Sequence, residues 1–484
     1  MSGTEDNEYR QQRIANLREL EARGYAAYGG AFARTGTLAE LRAGFAENLA
    51  VRAAGRLASI RRMGKAMFAD LRDGTDRFQI FVQKDALAEA AFEAFKYLDL
   101  GDFVGVTGTL FTTRTNERTI KVDGWTLLAK ALLPLPEKFH GLRDVEARYR
   151  HRYLDLATNP ATRELFNRRI QAVAAVRGFL AARGFQEVET PMIQAQAGGA
   201  AARPFVTHYD ALRADMCLRI APELYLKRLL VGGFDRVFEL NRCFRNEGLD
   251  RTHNPEFTML ELYEAYSDVN GMKALIQGLV THLAETVFGG LTAGEGERAI
   301  SFAPPWREVP YRELIRARMG ADWYDVALPE ARTRAQAAGL ALDPAWDIVG
   351  LSHEVYEKLV ERTLIPPTFV TRFPASLIPL ARACADDPTA ADVFELVIGG
   401  QEVAPAYSEL NDPLEQRRRL TAQAGAHPEK VDEDFLAALE HGMPPAGGMG
   451  VGIDRLVMLL SGCDAIRDVI LFPQLRTRAA GEEA

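Results

Sequence analysis

Residues 235–266, DRVFELNRCFRNEGLDRTHNPEFTMLELYEAY, alternate with a period of two on both sides of a short polar loop. That alternation constrains the chain more than any other feature, because successive strand residues point to opposite faces. In the first arm Glu239, Asn241, Cys243, Arg245 and Glu247 share one face, and Phe238, Leu240 and Phe244 share the other. In the second arm Phe257, Met259, Glu261 and Tyr263 share a face, and Leu260 and Leu262 point away. The pattern predicts a hairpin with a leucine-rich side for packing and a second side lined by Arg, Glu, Phe and Tyr. Carboxylates on a covered sheet cost several kcal/mol each unless paired, so this lining is the signature of a site rather than of a structural sheet.

Such a face can bind a nucleotide. Guanidinium groups at Arg245 and Arg251 can fork onto phosphates, His253 lies in the same loop, and the Phe257 ring can stack on a base. Near the other end of the chain, Gly447, Gly448, Gly450 and Gly452 run through a predicted strand into a helix that begins at Arg455. Glycines at period two leave a strand face bare for a flat ligand. A cation at a helix start adds to the anion preference of the dipole.

With 484 residues the chain is long enough for two or more domains, and its 47% hydrophobic content supplies their cores. No apolar run is long enough to span a membrane, and the polar start MSGTEDNEYRQQR is not a secretory signal. Cys217, Cys243, Cys384 and Cys463 are far apart, which predicts free thiols in a reducing cytoplasm rather than disulfides or a zinc site. The net charge of −8 excludes a uniformly basic nucleic-acid coat. Residues 1–150 nevertheless carry 23 Lys and Arg against 20 Asp and Glu, and Arg52, Arg56, Arg61, Arg62 and Lys65 form a run without a carboxylate, which is either a polyanion patch or a solvated face.

Periodicity predicts a helical extension over 1–50 and short strands over 51–132. An Asp-Gly turn marks a hairpin at 73–74, and DALAEAAFEAFKYLDL (85–100) reads as a helix between strands. About five strands with one helix suggest a small β barrel of the oligonucleotide-binding (OB) type. A proline-containing linker is expected over 133–160. An α+β domain on an antiparallel sheet follows over 161–484, with a helical insertion within about 267–390. FQEVETP (185–191) reads as a short strand, a helix is expected near 222–231 with Pro222 in its first position, and strands return at 392–412.

GFQEVETP, FRNEG with HNPEF, and GMGVGIDR resemble, in order and spacing, the three signature motifs of class II aminoacyl-tRNA synthetases. An N-terminal barrel before such a domain is the arrangement of the aspartyl, asparaginyl and lysyl subgroup. RRMGKAMFADLRD, KFHGLRDVEARYRHRYLDL, GGAAARPF, LRIAPELYLKRLLVGGFDRVFELNR, SELNDP and IRDVILFPQ resemble its bacterial lysyl branch, nearly end to end.

The resemblance implies ATP-dependent activation of L-lysine to lysyl-adenylate and transfer to the 3′ end of tRNA(Lys) by a cytoplasmic homodimer. It implies that Arg245 holds the α-phosphate, that His253 and Arg455 hold the distal phosphates, and that Phe257 and Glu247 meet adenine. Asn254, Gly450 and Gly452 complete the ATP site. Glu395 and Glu402 are implied as Mg2+ carboxylates. Lysine would be held by Gly199, Glu223, Glu261, Tyr263, Tyr407 and Glu409, and a central anticodon uridine by Phe68, Gln79 and Glu117. Phe68 read by itself could equally be core.

Physics alone supports an amine-bearing substrate, because an ε-ammonium needs anionic partners at the end of an apolar or aromatic slot, whereas aspartate would need cations there. Gln401, Pro405 and Ala406 depart from the lysyl pattern, which has Arg, Asn and Gly there; Pro405 cannot reproduce an Asn contact to the amino acid. The competing readings are an aspartyl or asparaginyl enzyme of the same architecture, a protein-lysylating paralogue, and a non-catalytic tRNA- or partner-binding protein on the same fold.

Overall fold

The computed structural model describes residues 5–136, 142, 144–296, 299–427 and 431–476. Residues 137–141 and Arg143 of the expected linker lie outside the described residues. The chain divides into two units, the first built on residues up to 148 and the second from 159 onward.

In the first unit, strands β1 (Ala50–Met63), β2 (Ala66–Arg72), β3 (Arg77–Gln83), β4 (Phe103–Thr112) and β5 (Arg118–Ala129) close on themselves in the order β1-β2-β3-β5-β4. Pairing of β1 with β4, from Ala50 opposite Thr109 to Arg56 opposite Phe103, completes the ring. β3 and β5 run parallel, and the other pairs are antiparallel. Alternation decides the interior: Val51, Ala53 and Leu57, Phe78, Ile80 and Val82, and Val104 and Val106 are buried in one core. The Asp73 carboxylate accepts the Thr75 and Asp76 N–H groups and fixes the β2–β3 turn. The helix expected over 85–100 is shorter, Glu89–Phe95, because turns occupy its flanks and the Asp102 carboxylate takes the Asp99 N–H.

The second unit is built on an eight-stranded sheet. Its strands are β6 (Gln186–Glu187), β10 (Arg236–Phe244), β11 (Glu256–Ala265), β14 (Arg307–Pro310), β15 (Thr368–Thr371), β16 (Val393–Ile398), β17 (Gln401–Ser408) and β18 (Ala446–Gly452), in the order β14-β15-β16-β17-β18-β11-β10-β6. Strands β7 (Ile193–Gln194), β8 (Val206–Tyr209) and β9 (Ala214–Leu218) form a small separate sheet, and β12 (Thr292–Ala293) pairs with β13 (Ile300–Ser301). The strand expected at 185–191 is reduced to β6, whose two residues run parallel to Val237 and Phe238 of β10. The expected helix begins at Glu223, with Pro222 at its cap rather than in its first turn.

One sheet face carries Phe238, Leu260, Leu262, Met449 and Val451 into a core with the helices Pro160–Ala181, Val269–Thr286 and Ile453–Leu460. Asn159 and Asp268 cap the first two of these helices. The helix Val269–Thr286 comes so close that a Cβ at Gly447 would sit 2.8 Å from the Asp268 carbonyl oxygen. The opposite face is left for chemistry.

Candidate active site

The hairpin register sets the floor. Glu239 lies opposite Glu261 and Cys243 opposite Phe257 across β10 and β11, and β11 in turn sets Glu261 against Gly450 and Tyr263 against Gly448 of β18. Tyr407 of β17 continues the Gly448 row, and Pro405 pairs with Glu395 of β16. The bare glycine face is closely covered by its neighbours' side chains: a Cβ at Gly448 would collide with Glu409 Oε1 and the Tyr263 ring, and one at Gly450 would lie 2.6 Å from Met259 Cε, 3.7 Å from Glu261 Cγ and 4.0 Å from Pro405 Cγ. Pro405 therefore borders the same glycine as Glu261, with an apolar ring and no donor. Gln401 lies at the start of β17, and its buried side-chain oxygen has no hydrogen-bond partner among the described residues.

At one end of this floor carboxylates dominate. Glu261 is buried, and the burial, with Glu223 nearby, raises its carboxyl to about 8; the Tyr263 hydroxyl donates to it at 3.2 Å. Burial likewise raises Glu409 to about 8 against the pull of Lys227. The phenols of Tyr263 and Tyr407 are pushed well up by burial and by Glu223. Gly199, in the left-handed region at φ +82°, lays its backbone against Glu223; a Cβ there would be 3.0 Å from Glu223 Cβ. Glu239 is matched by Arg219 at 2.6 Å in a buried ion pair, with the Thr190 hydroxyl on its other oxygen.

At the other end cations dominate. The Arg245 guanidinium lies 5.1 Å from the Phe257 ring centroid, and its buried Nε has no hydrogen-bond partner among the described residues. Arg455, in the first turn of Ile453–Leu460, donates to the Glu402 carbonyl at 2.8 Å and meets His253 Nε2 at 3.0 Å. His253 Nδ1 in turn meets Asp250 at 2.8 Å. Partial burial raises the Asp250 carboxyl, but the Thr252 N–H and His253 outweigh it and bring it down to about 2. Glu247 is exposed on the connecting loop. Asn254 is buried with its amide spent on the backbone: it donates to the Glu256 carbonyl at 2.6 Å and accepts from the Gln474 N–H at 3.3 Å.

Glu395 and Glu402 sit beside a third carboxylate that sequence reading missed. Glu361 accepts the Glu402 N–H at 2.8 Å, and the Tyr356 hydroxyl donates to Glu395 at 3.2 Å. Burial, then Glu402 and Glu361, push Glu395 well above its ordinary range. Among the described residues no group of three or more His, Cys, Asp or Glu side chains is arranged to hold a metal by itself. Half-buried carboxylates held close to one another suit a hard divalent cation that draws its remaining oxygens from phosphate and water.

In the first unit Phe68 lies on the outer side of β2, half-buried, between the core residues Met67 and Ala69. Its ring is 4.7 Å from Phe81, which is 6.0 Å from Phe111. The Thr119 hydroxyl bridges Gln79 Oε1 at 2.9 Å and the Glu117 carbonyl at 3.1 Å. Of the basic run, Arg52, Arg56 and Arg62 donate to the carbonyls of Ala33, Gly101 and Lys96, while the Arg61 and Lys65 side chains are exposed without a partner among the described residues.

Lys227, Arg219, Glu361 and Tyr356 were not singled out from sequence. Only Lys227 carried a local signal, four residues after Glu223 and so on the same helix face.

Residues 144–476 match the family model described as tRNA synthetases class II (D, K and N), and residues 51–128 match that of the OB-fold nucleic acid binding domain. The chain is 49% identical to a lysine–tRNA ligase of Pelotomaculum thermopropionicum, over 99% of this chain and 97% of that protein. It is 47% identical to one of Carboxydothermus hydrogenoformans (99% and 100%) and 45% identical to one of Dehalococcoides mccartyi (96% and 97%). The motif strands, the cation-and-carboxylate floor they build and these matches agree: the chain belongs to the class II tRNA synthetases of the D, K and N group.

Proposed function

We propose that the chain is a lysine–tRNA ligase, activating L-lysine with ATP and passing it to the 3′ end of tRNA(Lys). The observation that carries this reading is the pair of buried carboxylates, Glu261 and Glu409, beside Gly448 and Gly450 on the strand face that also bears Phe257. An ammonium group entering there finds carboxyls that burial has raised to about 8, and its positive charge favours their ionised form. The aspartyl and asparaginyl alternatives would bring a carboxylate or an amide to that same negative end.

In the first step the lysine α-carboxylate attacks the α-phosphorus of ATP and pyrophosphate leaves. The nucleophile is already ionised, so the residues supply positioning and charge rather than a base. Arg245 would stabilise the charge growing on the α-phosphate, with adenine against Phe257, Glu247 on its amino group, and Asn254 holding the loop. His253 and Arg455, already in contact, would take the distal phosphates, and Gly450 and Gly452 would leave room for the nucleotide. Glu223, Glu261, Tyr263, Tyr407 and Glu409, with the Gly199 backbone, would hold lysine. Glu395 and Glu402 would hold Mg2+, which when bound neutralises charge on phosphate oxygens. In the second step the terminal ribose 3′-hydroxyl of tRNA attacks the activated carbonyl and AMP leaves. The ring over 51–132 would read the anticodon through Phe68, Gln79 and Glu117, with aromatic stacking as the sequence-tolerant part of the contact. A cytoplasmic homodimer completes the reading; no helix among the described residues is long and apolar enough to cross a membrane.

Amino-acid-dependent ATP–pyrophosphate exchange, run across all twenty amino acids, tests it. Exchange with lysine alone is expected; exchange with aspartate or asparagine, or with none, would overturn it.

A further inference from the structure

Lys227 is wholly buried between the two ends of the carboxylate cluster. Its Nζ lies 2.7 Å from Glu223 Oε1, 2.5 Å from Glu409 Oε2 and 3.5 Å from the Leu380 carbonyl oxygen. Glu223 comes from the same helix, one turn earlier, whereas Glu409 follows β17. Each carboxylate thus gives one oxygen to Lys227 and keeps the other. The kept oxygens point to the two glycine walls: Glu223 Oε2 is 3.6 Å from where a Gly199 Cβ would be, and Glu409 Oε1 occupies the place of a Gly448 Cβ. Neither Glu409 oxygen has a hydrogen-bond partner among the described residues: Oε2 is held by the ion contact with Lys227, and the buried Oε1 has no such contact.

The charges are uneven without this lysine. Glu223, Glu261 and Glu409 converge among the phenols of Tyr263 and Tyr407, while Arg219 is already committed to Glu239. Once all three are ionised by an arriving cation, Lys227 offsets one negative charge and leaves two, which is the number of ammonium groups on a diamino acid. Three unopposed carboxylates so close could not all stay ionised.

We propose that Lys227 is a positioning residue for substrate selection: it clamps Glu223 and Glu409 so that one oxygen of each is turned toward the glycine strand and loop that border the lysine site, and it sets the charge there to match a substrate with two ammonium groups. This rests on the lysine reading above and adds to it a residue that does not itself touch substrate. The groups facing the clamp are Glu223 on its own helix, Glu409 and Tyr407 at the end of β17, and Glu261 and Tyr263 on β11; Arg245, Cys243 and Glu239 face Glu261 from β10 and the loop after it.

The test is pyrophosphate exchange by Lys227→Met and Lys227→Arg beside the natural enzyme, with KM measured separately for lysine and ATP. In Lys227→Met the lysine KM is expected to rise about 30-fold or more, the scale for removing one partner of a buried charge pair, with the ATP KM within about threefold. That KM is expected to fall more steeply with rising pH than in the natural enzyme, because Glu409 has lost the cation that favours its ionised form. Lys227→Arg is expected to recover part of the loss. Parallel rises in both KM values, or an unchanged lysine KM, would overturn the proposal.

A second measurement uses the natural enzyme alone. As competitors of lysine, 1,5-diaminopentane is expected to bind about tenfold or more tightly than pentylamine, a factor of ten corresponding to one added charge contact of modest strength. Equal inhibition would overturn the charge matching even if no variant folds. Absence of lysine-dependent exchange in the natural enzyme would instead overturn the ligase reading.

Discussion

The Thr258 backbone N–H donates to Asp454 Oδ2 at 2.7 Å, joining β11 of the hairpin to the residue beside Arg455. Asp454 is also 2.6 Å from Arg169 Nη2, which bonds the Thr258 hydroxyl at 3.1 Å. The cation that meets His253 is therefore held in register with Phe257 through one buried carboxylate. Asp454→Ala should strand Arg169 in the interior and cost about 3–5 kcal/mol of stability. Urea unfolding would measure it, and a loss below 1 kcal/mol would remove Asp454 from this role.

Arg245→Gln should keep the fold and slow activation. A cation aimed at developing phosphate charge is worth about 100-fold to 1,000-fold in kcat, so exchange should fall on that scale with the lysine KM little changed. A loss confined to the lysine KM would place Arg245 with the amino acid instead.

Acid should weaken lysine binding. Burial raises Glu261 and Glu409 to about 8 from an ordinary 4.5, so across that range the folded empty site holds protons more tightly than the unfolded chain does. The sign follows: between those values the folded state binds more protons than the unfolded one, so the empty protein loses stability as pH rises. Ammonium groups need the ionised form, so lysine binding expels protons and tightens from about pH 6.5 to 8. Calorimetry in buffers of different ionisation enthalpy should detect that release; a binding heat independent of buffer would contradict it.

The two pocket glycines should behave differently. Gly448→Ala pushes a methyl into Glu409 Oε1 and the Tyr263 ring, both held in buried surroundings, and should abolish lysine-dependent exchange. Gly450→Ala meets first the Met259 Cε, the end of an unbranched thioether that can turn aside, so its effect should be the smaller. Equal effects would show that the packing of Glu409 and Tyr263 on Gly448 does not shape the substrate site.

Phe68→Ala should separate the two units functionally. Charging of tRNA(Lys) should lose about 1–3 kcal/mol of binding, as for one aromatic–base stack, while exchange without tRNA stays unchanged. Equal losses in both assays would make Phe68 structural.

The hairpin faces were legible because a period of two is local, and so were the bare strand before Arg455 and the Asp73 turn. Phe68 needed the ring itself: only pairing with β1 and β3 shows that Met67 and Ala69 fill the interior while Phe68 stands outside with Phe81. Arg219, Asp454 and Glu361 were invisible because their partners lie 20, 285 and 41 residues away and are brought together only by the fold. The helix over 85–100 was read too long because apolar spacing persists through turns as well as through the helix.

With β1 bonded to β4, the five strands form a ring in which none is an edge strand. The ring therefore offers no edge strand of the kind at which a peptide adds to an open sheet. Under the proposed reading, recognition there would fall to side chains and loops, so selectivity for one triplet over another could drift by substitution on the outer surface while the closed scaffold beneath stays as it is.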